Sequence, residues 1–242
     1  ESVLGSGMSL LNAKGAAAVL MNINNGEIIS LASLPDFDPN HRPKLPSTGD
    51  PANSPLFNRA IQGVYELGST FKIFAIAQAL ELKLVSPETM INVSGPLRWG
   101  KFKIRDFHNY GSELPVKKVI SKSSNIGTAR IAQEIGSIEQ QKFLKSLGFF
   151  DIVPLEMVEA SGGKPLLPKN WSELSTMTIS YGHGLSATPL HLAAAYAAIG
   201  NGGYRVTPTL QIQENRKYGD RVISEAVSKH CLLYTSDAAD DV

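Results

Sequence analysis

Ten consecutive residues, Phe71-Lys72-Ile73-Phe74-Ala75-Ile76-Ala77-Gln78-Ala79-Leu80, are apolar on nearly every face of the helix they would form. A helix with no polar side to offer water is a buried helix, so the rest of the chain must wrap this one. Only Lys72 and Gln78 interrupt it. Burial disfavours a charged lysine and can lower its pKa by several units. Just upstream, Glu66-Leu67-Gly68-Ser69-Thr70 supplies the helix start, with Ser69 three residues before Lys72. Positions i and i+3 share a helix face, so the Ser69 hydroxyl and the Lys72 amine are predicted to meet at the first turn. A lysine so tuned can take a proton from a neighbouring serine and make it a nucleophile. The same spacing also suits a lysine that snorkels beside an ordinary N-terminal serine. The pattern is weak alone. Ser161-Gly162-Gly163-Lys164 repeats it in a Gly/Pro-rich stretch running into Pro165, with no helix to align the side chains.

With 242 residues the chain can build one large or two small domains. A net charge of +1 with 19% charged residues suggests neither nucleic acid nor disorder. No apolar run approaches the roughly 20 residues that span a bilayer, and no signal-peptide pattern is present. The opening Glu1-Ser2-Val3-Leu4-Gly5 reads as a cut rather than a start. At the other end, Cys231-Leu232-Leu233-Tyr234-Thr235-Ser236-Asp237-Ala238-Ala239-Asp240 resembles a translated transposase-type sequencing adapter. The expected organisation is therefore one domain over 1–230 and a non-native tail over 231–242. The single cysteine then falls in the tail and leaves no disulfide to argue from.

Ala16–Ile23 and Glu27–Ser33 read as strands joined at Asn24-Asn25-Gly26, a strong hairpin signal. Both are almost continuously apolar, so they are expected to be central or covered by helices. Residues 35–55 read as an irregular loop. Beyond the helix over 69–82, residues 91–114 hold short extended or turn pieces. Helices are predicted over Val116–Lys122, Asn125–Ile135, Ile138–Leu147 and Ser172–Ser180. A further one runs to Ile199, capped by Thr188 with Pro189 at its first position. Arg205–Gln213 is expected as a strand or extended arm. Strands first, helices in the middle and a strand near the end predict an α+β fold with a helical insertion.

Ser123-Ser124-Asn125 is the one Ser-x-Asn in the sequence. Alone it is an ordinary helix N-cap. It follows Ser69-x-x-Lys72 by about 50 residues, and the two together, in this order, resemble the penicillin-recognising serine enzymes. Asn58-Arg59-Ala60 with Tyr65-Glu66-Leu67-Gly68-Ser69-Thr70-Phe71-Lys72 is similar to the transpeptidase domain of class B penicillin-binding proteins. Ala32-Ser33-Leu34-Pro35-Asp36-Phe37-Asp38-Pro39-Asn40, Lys122-Ser123-Ser124-Asn125-Ile126-Gly127 and Ser180-Tyr181-Gly182-His183-Gly184 with Thr188-Pro189 resemble its division-specific branch, the FtsI type. The resemblance runs from about Gly15 to Thr209.

The resemblance implies an antiparallel sheet flanked by helices, with an all-helical subdomain. It implies that Ser69 attacks the penultimate D-alanyl carbonyl of a peptidoglycan stem peptide and expels the terminal D-alanine. An amine from a neighbouring stem would then resolve the acyl-enzyme. Lys72 would be the base, Ser123 would relay protons, and Asn125 would hold Lys72 and a substrate amide. Tyr181, Gly182, His183 and Thr188 would bind substrate. β-Lactams would acylate the same Ser69. The implied partners are stem peptides, the lipid-linked precursor and a lipid-II polymerase of the division machinery, with no cofactor and no nucleic acid. The implied location is the periplasmic face of the bacterial inner membrane, through an anchor that this sequence does not contain.

One departure matters. The family's Lys-Thr-Gly strand has no counterpart here, nor does Lys-Ser-Gly or His-Thr-Gly occur; Ser47-Thr48-Gly49 precedes Ser69 and lacks the base. In the family that strand supplies one oxyanion donor, and losing one such donor costs about 10²–10³ in rate. The expectation is a chain cut before the motif, lacking its C-terminal strands, inactive and doubtful as an independently folding unit. The competing readings are the elongation-specific relative, a serine β-lactamase and a non-catalytic penicillin sensor. Glu88-Thr89-Met90-Ile91-Asn92 faintly imitates the β-lactamase glutamate motif but precedes Ser123 instead of following it. His183 and His191, eight apart with no third ligand, and Asp106 near His108 carry little metal signal.

Overall fold

The computed structural model describes residues 1–44, 48–213 and 218–236, so Ser47 and residues 237–242 lie outside the described part. Helix α1 (Ser2–Leu10) leads into strands β1 (Ala16–Met21) and β2 (Ile28–Leu34). They pair antiparallel from Ala16↔Leu34 to Met21↔Ile28, with one irregularity between Leu20 and Met21. The turn between them closes as its sequence predicts. Asn22 and Asn25 side-chain oxygens accept from the backbone N–H groups of Asn24 and Glu27, and Gly26 takes φ 79°. A side chain at Gly26 would meet the Thr207 carbonyl.

Two covered faces do not materialise for this hairpin. Ala17, Val19, Ile28 and Leu31 pack against Ala60, Ile61 and Leu190, while Leu20 and Ile29 are 56% and 64% exposed. Continuous apolarity therefore overstated the burial of these strands. The predicted arm near residue 209 is extended and lies beside β2. Ile28 N–H donates to the Thr209 carbonyl and Thr209 N–H to Gly26, at 2.9 and 3.0 Å.

The two-residue strand β3 (Tyr65–Glu66) opens the nucleophile segment, and a 3₁₀ turn over Gly68–Phe71 feeds helix α2 (Lys72–Glu81). Every residue of α2 from Lys72 to Leu80 is buried. Next come β4 (Met90–Asn92), the hairpin β5 (Leu97–Trp99) and β6 (Phe102–Ile104), and β7 (Glu113–Pro115), which pairs back on β4. Helices α3 (Val116–Ser121), α4 (Asn125–Ile135), α5 (Ser137–Ser146) and α6 (Glu173–Ser180) form the helical body. Strand β8 (Ser186–Ala187) pairs with β3, and α7 (Pro189–Gly200) follows. Among the described residues the strands form four separate pairs rather than one broad sheet.

Helix α2 packs on α3, α4, α5 and α8 (Glu225–Ser236). Phe71, Phe74, Phe149 and Tyr196 interlock round it with ring centroids 4.8–5.4 Å apart. Tyr196 also ties α7 to the helix start, its hydroxyl donating to the Thr70 carbonyl at 2.7 Å. Helix α8 crosses the boundary expected at residue 230 and places Cys231 at 0% exposure in the main core. Burial raises that thiol's pKa to about 12, which keeps it protonated. Among the described residues no helix is long and apolar enough to cross a membrane.

Candidate active site

The site begins with two helix ends that share a residue boundary. Helix α3 stops at Ser121, and its last carbonyls are taken up by the next residues. Ser123 N–H donates to Ile120 O and Ser124 N–H to Val119 O, both at 2.9 Å. This pair of bonds is the Schellman C-cap, whose turning position favours glycine because it needs positive φ. Here Ser123 occupies it at φ 56°. A non-glycine residue there costs of order 1–3 kcal/mol, strain that clusters at functional sites. Ser124 then N-caps α4, its hydroxyl accepting from Gly127 N–H at 2.9 Å.

That turn meets the start of α2. Lys72, 2% exposed, donates from Nζ to the Ser123 carbonyl at 2.5 Å and to Ser123 Oγ at 2.7 Å. Ser123 Oγ donates onward to Ser69 Oγ at 3.1 Å. The predicted serine–lysine pair is thus connected through a third hydroxyl. The 3₁₀ geometry of Gly68–Phe71 sets Ser69 at the exposed mouth while Lys72 points into the core. Desolvation lowers the Lys72 pKa to about 8, with the Asp106 charge opposing the shift.

Asn125 lies in the same group, and its side-chain N–H donates to the Arg105 carbonyl at 3.0 Å. Ser69, Ser123, Asn125, Tyr181 and His183 line one cleft of about 450 Å³, a size suited to a small or peptidic ligand. Phe107, His108 and Tyr110 also line it. Tyr181 and His183 stand edge to face at 5.5 Å, and burial raises the Tyr181 pKa. The Tyr110 hydroxyl, which donates to the Lys122 carbonyl at 2.7 Å, is also raised, by burial and then by Asp106.

Gly182 and Thr188 sit elsewhere. Gly182, at φ 86°, lies behind the nucleophile, where a Cβ would come 2.0 Å from the Gly68 carbonyl oxygen. Gly68 N–H donates to Gly182 O at 3.1 Å. Thr188 is 1% exposed and caps α7; its hydroxyl accepts from His191 N–H at 3.2 Å and bonds His191 Nδ1 at 2.7 Å. His191 Nε2 reaches the Asp151 carbonyl at 2.8 Å, and burial lowers its pKa. Both its nitrogens are therefore spent inside the core. Glu88 forms a surface pair with Lys117 at 2.7 Å and does not border the cleft.

Two groups that sequence reasoning left out hold the site in shape. Glu66 Oε1 accepts from Gly184 N–H at 2.6 Å, and β3 pairs with β8, so the Tyr181–Gly184 segment is clamped to the nucleophile loop. Asp106 braces the Ser123 turn from beneath. Neither has a local signal, because each bond joins segments far apart in sequence.

The chain matches the penicillin binding protein transpeptidase domain over residues 16–231. It is 34% identical over 221 residues to a probable peptidoglycan D,D-transpeptidase FtsI of Caulobacter vibrioides, covering 90% of this chain and 36% of that protein. Against the peptidoglycan D,D-transpeptidase FtsI of Escherichia coli K12 the identity is 30% over 224 residues, covering 93% and 37%. The chain thus spans little more than a third of these curated relatives. The apo transpeptidase domain of Burkholderia pseudomallei penicillin-binding protein 3 superposes with a TM-score of 0.82 at 28% identity, covering 96% of this chain and 65% of that one.

Proposed function

Because the chain belongs to the penicillin-binding transpeptidase family, we propose that it carries the acyl-transfer machinery of a peptidoglycan D,D-transpeptidase of the division-specific type. The observation that carries this reading is the unbroken path Lys72 Nζ–Ser123 Oγ–Ser69 Oγ, at 2.7 and 3.1 Å. A lysine of pKa about 8 is neutral in roughly one molecule in ten at pH 7, against roughly one in a few thousand for an ordinary lysine. The base population is enlarged by more than two orders of magnitude.

In acylation Ser69 Oγ bonds to the penultimate D-alanyl carbonyl carbon. Its proton passes to Ser123 Oγ, whose own proton passes to neutral Lys72. The C–N bond to the terminal D-alanine breaks, and the proton returns from Lys72 through Ser123 to the leaving amine. An amine from a second stem then attacks the ester, forms the cross-linking amide and restores the Ser69 hydroxyl. Asn125 lies beside the path, where its side chain can exchange the Arg105 carbonyl for a substrate amide. A β-lactam follows the same first step, its ring nitrogen replacing the leaving amine. The relatives' names support the D,D-transpeptidase reading; the role in division, the periplasmic location and the lipid-linked precursor polymerised by a partner enzyme are what the resemblance to the FtsI type implies.

The test is acylation of this chain by a fluorescent penicillin, at a rate expected to lie about 10²–10³-fold below that of a relative carrying the Lys-Thr-Gly strand's oxyanion donor. One adduct on the peptide containing Ser69, absent in Ser69→Ala, is the expected result. An adduct that persists in Ser69→Ala overturns the assignment.

A further inference from the structure

We propose that Asp106 is a positioning residue for acylation, holding the Ser123 hydroxyl between Lys72 and Ser69 and supplying the negative charge that the Lys72 ammonium sees; this rests on the acyl-transfer reading above. Asp106 lies two residues past the end of β6, with Arg105 between them. Its Oδ2 accepts from the Ser124 hydroxyl at 2.7 Å and its Oδ1 from Ile126 N–H at 3.0 Å. The preceding carbonyl, Arg105 O, takes the Asn125 side-chain N–H at 3.0 Å. Residues 105 and 106 thus grip all three residues that follow Ser123. Ser124 is completely buried and also accepts from Gly127 N–H, so its hydroxyl has one orientation that satisfies both partners.

The grip matters because Ser123 is held at positive φ. That backbone is unfavourable for serine and persists only where the surroundings over-determine it. Two charge-assisted bonds from one carboxylate are strong enough to do so. They fix the turn from below while Lys72 holds its carbonyl and hydroxyl from above. Asp106 is also the charged group that acts on Lys72 through space, in the direction that favours the ammonium. The other titratable groups round the cleft are His108, Tyr110, Lys122, Tyr181 and His183. Asp106 thereby balances two demands on Lys72. Its charge moderates the fall in pKa, which preserves an ammonium able to return the proton to the leaving group.

The test compares Asp106→Asn and Asp106→Glu with the parent by two readouts. The Lys72 titration midpoint is read by NMR of its ¹³Cε–¹⁵Nζ group, assigned with Lys72→Arg. The second-order acylation rate with a fluorescent penicillin is followed against pH. Asp106→Asn is expected to move the Lys72 midpoint toward acid and to slow acylation roughly 10- to 100-fold, the span of a hydrogen bond to a charged group. Asp106→Glu keeps the charge one methylene further out; the midpoint stays and the rate falls. An unmoved midpoint in Asp106→Asn overturns the electrostatic role even if the rate drops. A wild-type rate in Asp106→Glu overturns the positional role, and carries that test if Asp106→Asn fails to fold. Ser69→Ala that still labels sinks the acyl-transfer reading itself, while the Lys72 midpoints still report on Asp106.

Discussion

Two stretches of this chain share the pattern Ser-x-x-Lys, and the fold treats them oppositely. At 69–72 the serine sits on a 3₁₀ turn at a cleft and the lysine enters the core at 2% exposure. At 161–164 the serine lies inside another 3₁₀ turn, Val158–Gly162, and spends its hydroxyl on the Val158 carbonyl at 3.0 Å, while the lysine is exposed. Gly163 there is pressed against the Ile61 carbonyl, 2.0 Å from where a Cβ would stand. The second stretch is a packing device. Spacing is common to both, so spacing does not make the chemistry. What separates them is desolvation of the amine and the arrival of a third hydroxyl from a distant turn.

The sharpest break of that comparison is Lys72→Met set beside Lys164→Met. The first removes the base, and penicillin acylation should fall about 10²–10⁴-fold, the usual share of general acid–base catalysis. Its thermal midpoint should hold or rise, because a buried amine gives way to an apolar chain of similar length. Acylation by Lys164→Met, measured in the same assay, should stay within about twofold. Equal losses in both variants would collapse the distinction.

Ser123→Gly sharpens it from the side of the third hydroxyl. Acylation should drop about 10²-fold or more with the relay atom gone. Glycine accepts the positive φ that serine resists, worth up to about 1 kcal/mol, which offsets part of the cost of the acceptor that buried Lys72 loses. Chemical denaturation beside Ser123→Ala, which loses the same acceptor but keeps a Cβ at positive φ, isolates the backbone part, and equal stability of the two variants would show that the turn is not strained.

Stability against pH gives the next test. The Lys72 pKa is about 8 in the fold and about 10.5 in the unfolded chain. Between these values the unfolded state binds more protons, so stability rises with pH across that window and is lowest below about 8. The full swing from this group is about 3 kcal/mol. In Lys72→Met this increment should vanish from denaturation curves taken at pH 7 and 10. The acylation rate of the parent should climb through pH 8 as the base is unmasked.

The smallest expected effect belongs to Ser161→Ala. Its surface hydroxyl closes one local turn, so the change should stay within about 0.5 kcal/mol by calorimetry.

Most of the helical body was legible because its signals are local. The apolar run over 71–80, the Ser-Ser-Asn cap, the Thr188 cap and the Asn-Asn-Gly turn all predict what is observed. Ser69, Lys72, Ser123 and Asn125 were named from two motifs; the structure brings Ser69, Ser123 and Asn125 to one cleft, with buried Lys72 bonded to Ser123 from the core side. What escaped was non-local. Strands β3 and β8 are two residues each, too short to show a period. Helix α8, for which the sequence showed no signal, runs through Glu225–Ser236 and buries Cys231 in the core. Thr188 was given two roles, cap and substrate contact, and burial leaves room for the first alone. Asp106 was weighed for metal binding and carried little signal; its carboxylate acts 18 and 20 residues away.

The clamp from Glu66 to Gly184 spans 118 positions. During synthesis the nucleophile, the base, the relay and the asparagine have all left the peptidyl-transfer centre once residue 125 is made. Their loop is still unpinned, because Gly182 and Gly184 have yet to exist. A growing chain therefore owns its reactive groups long before it can use them, and reactivity toward penicillin should switch on late, when the Tyr181–Gly184 segment closes behind Gly68.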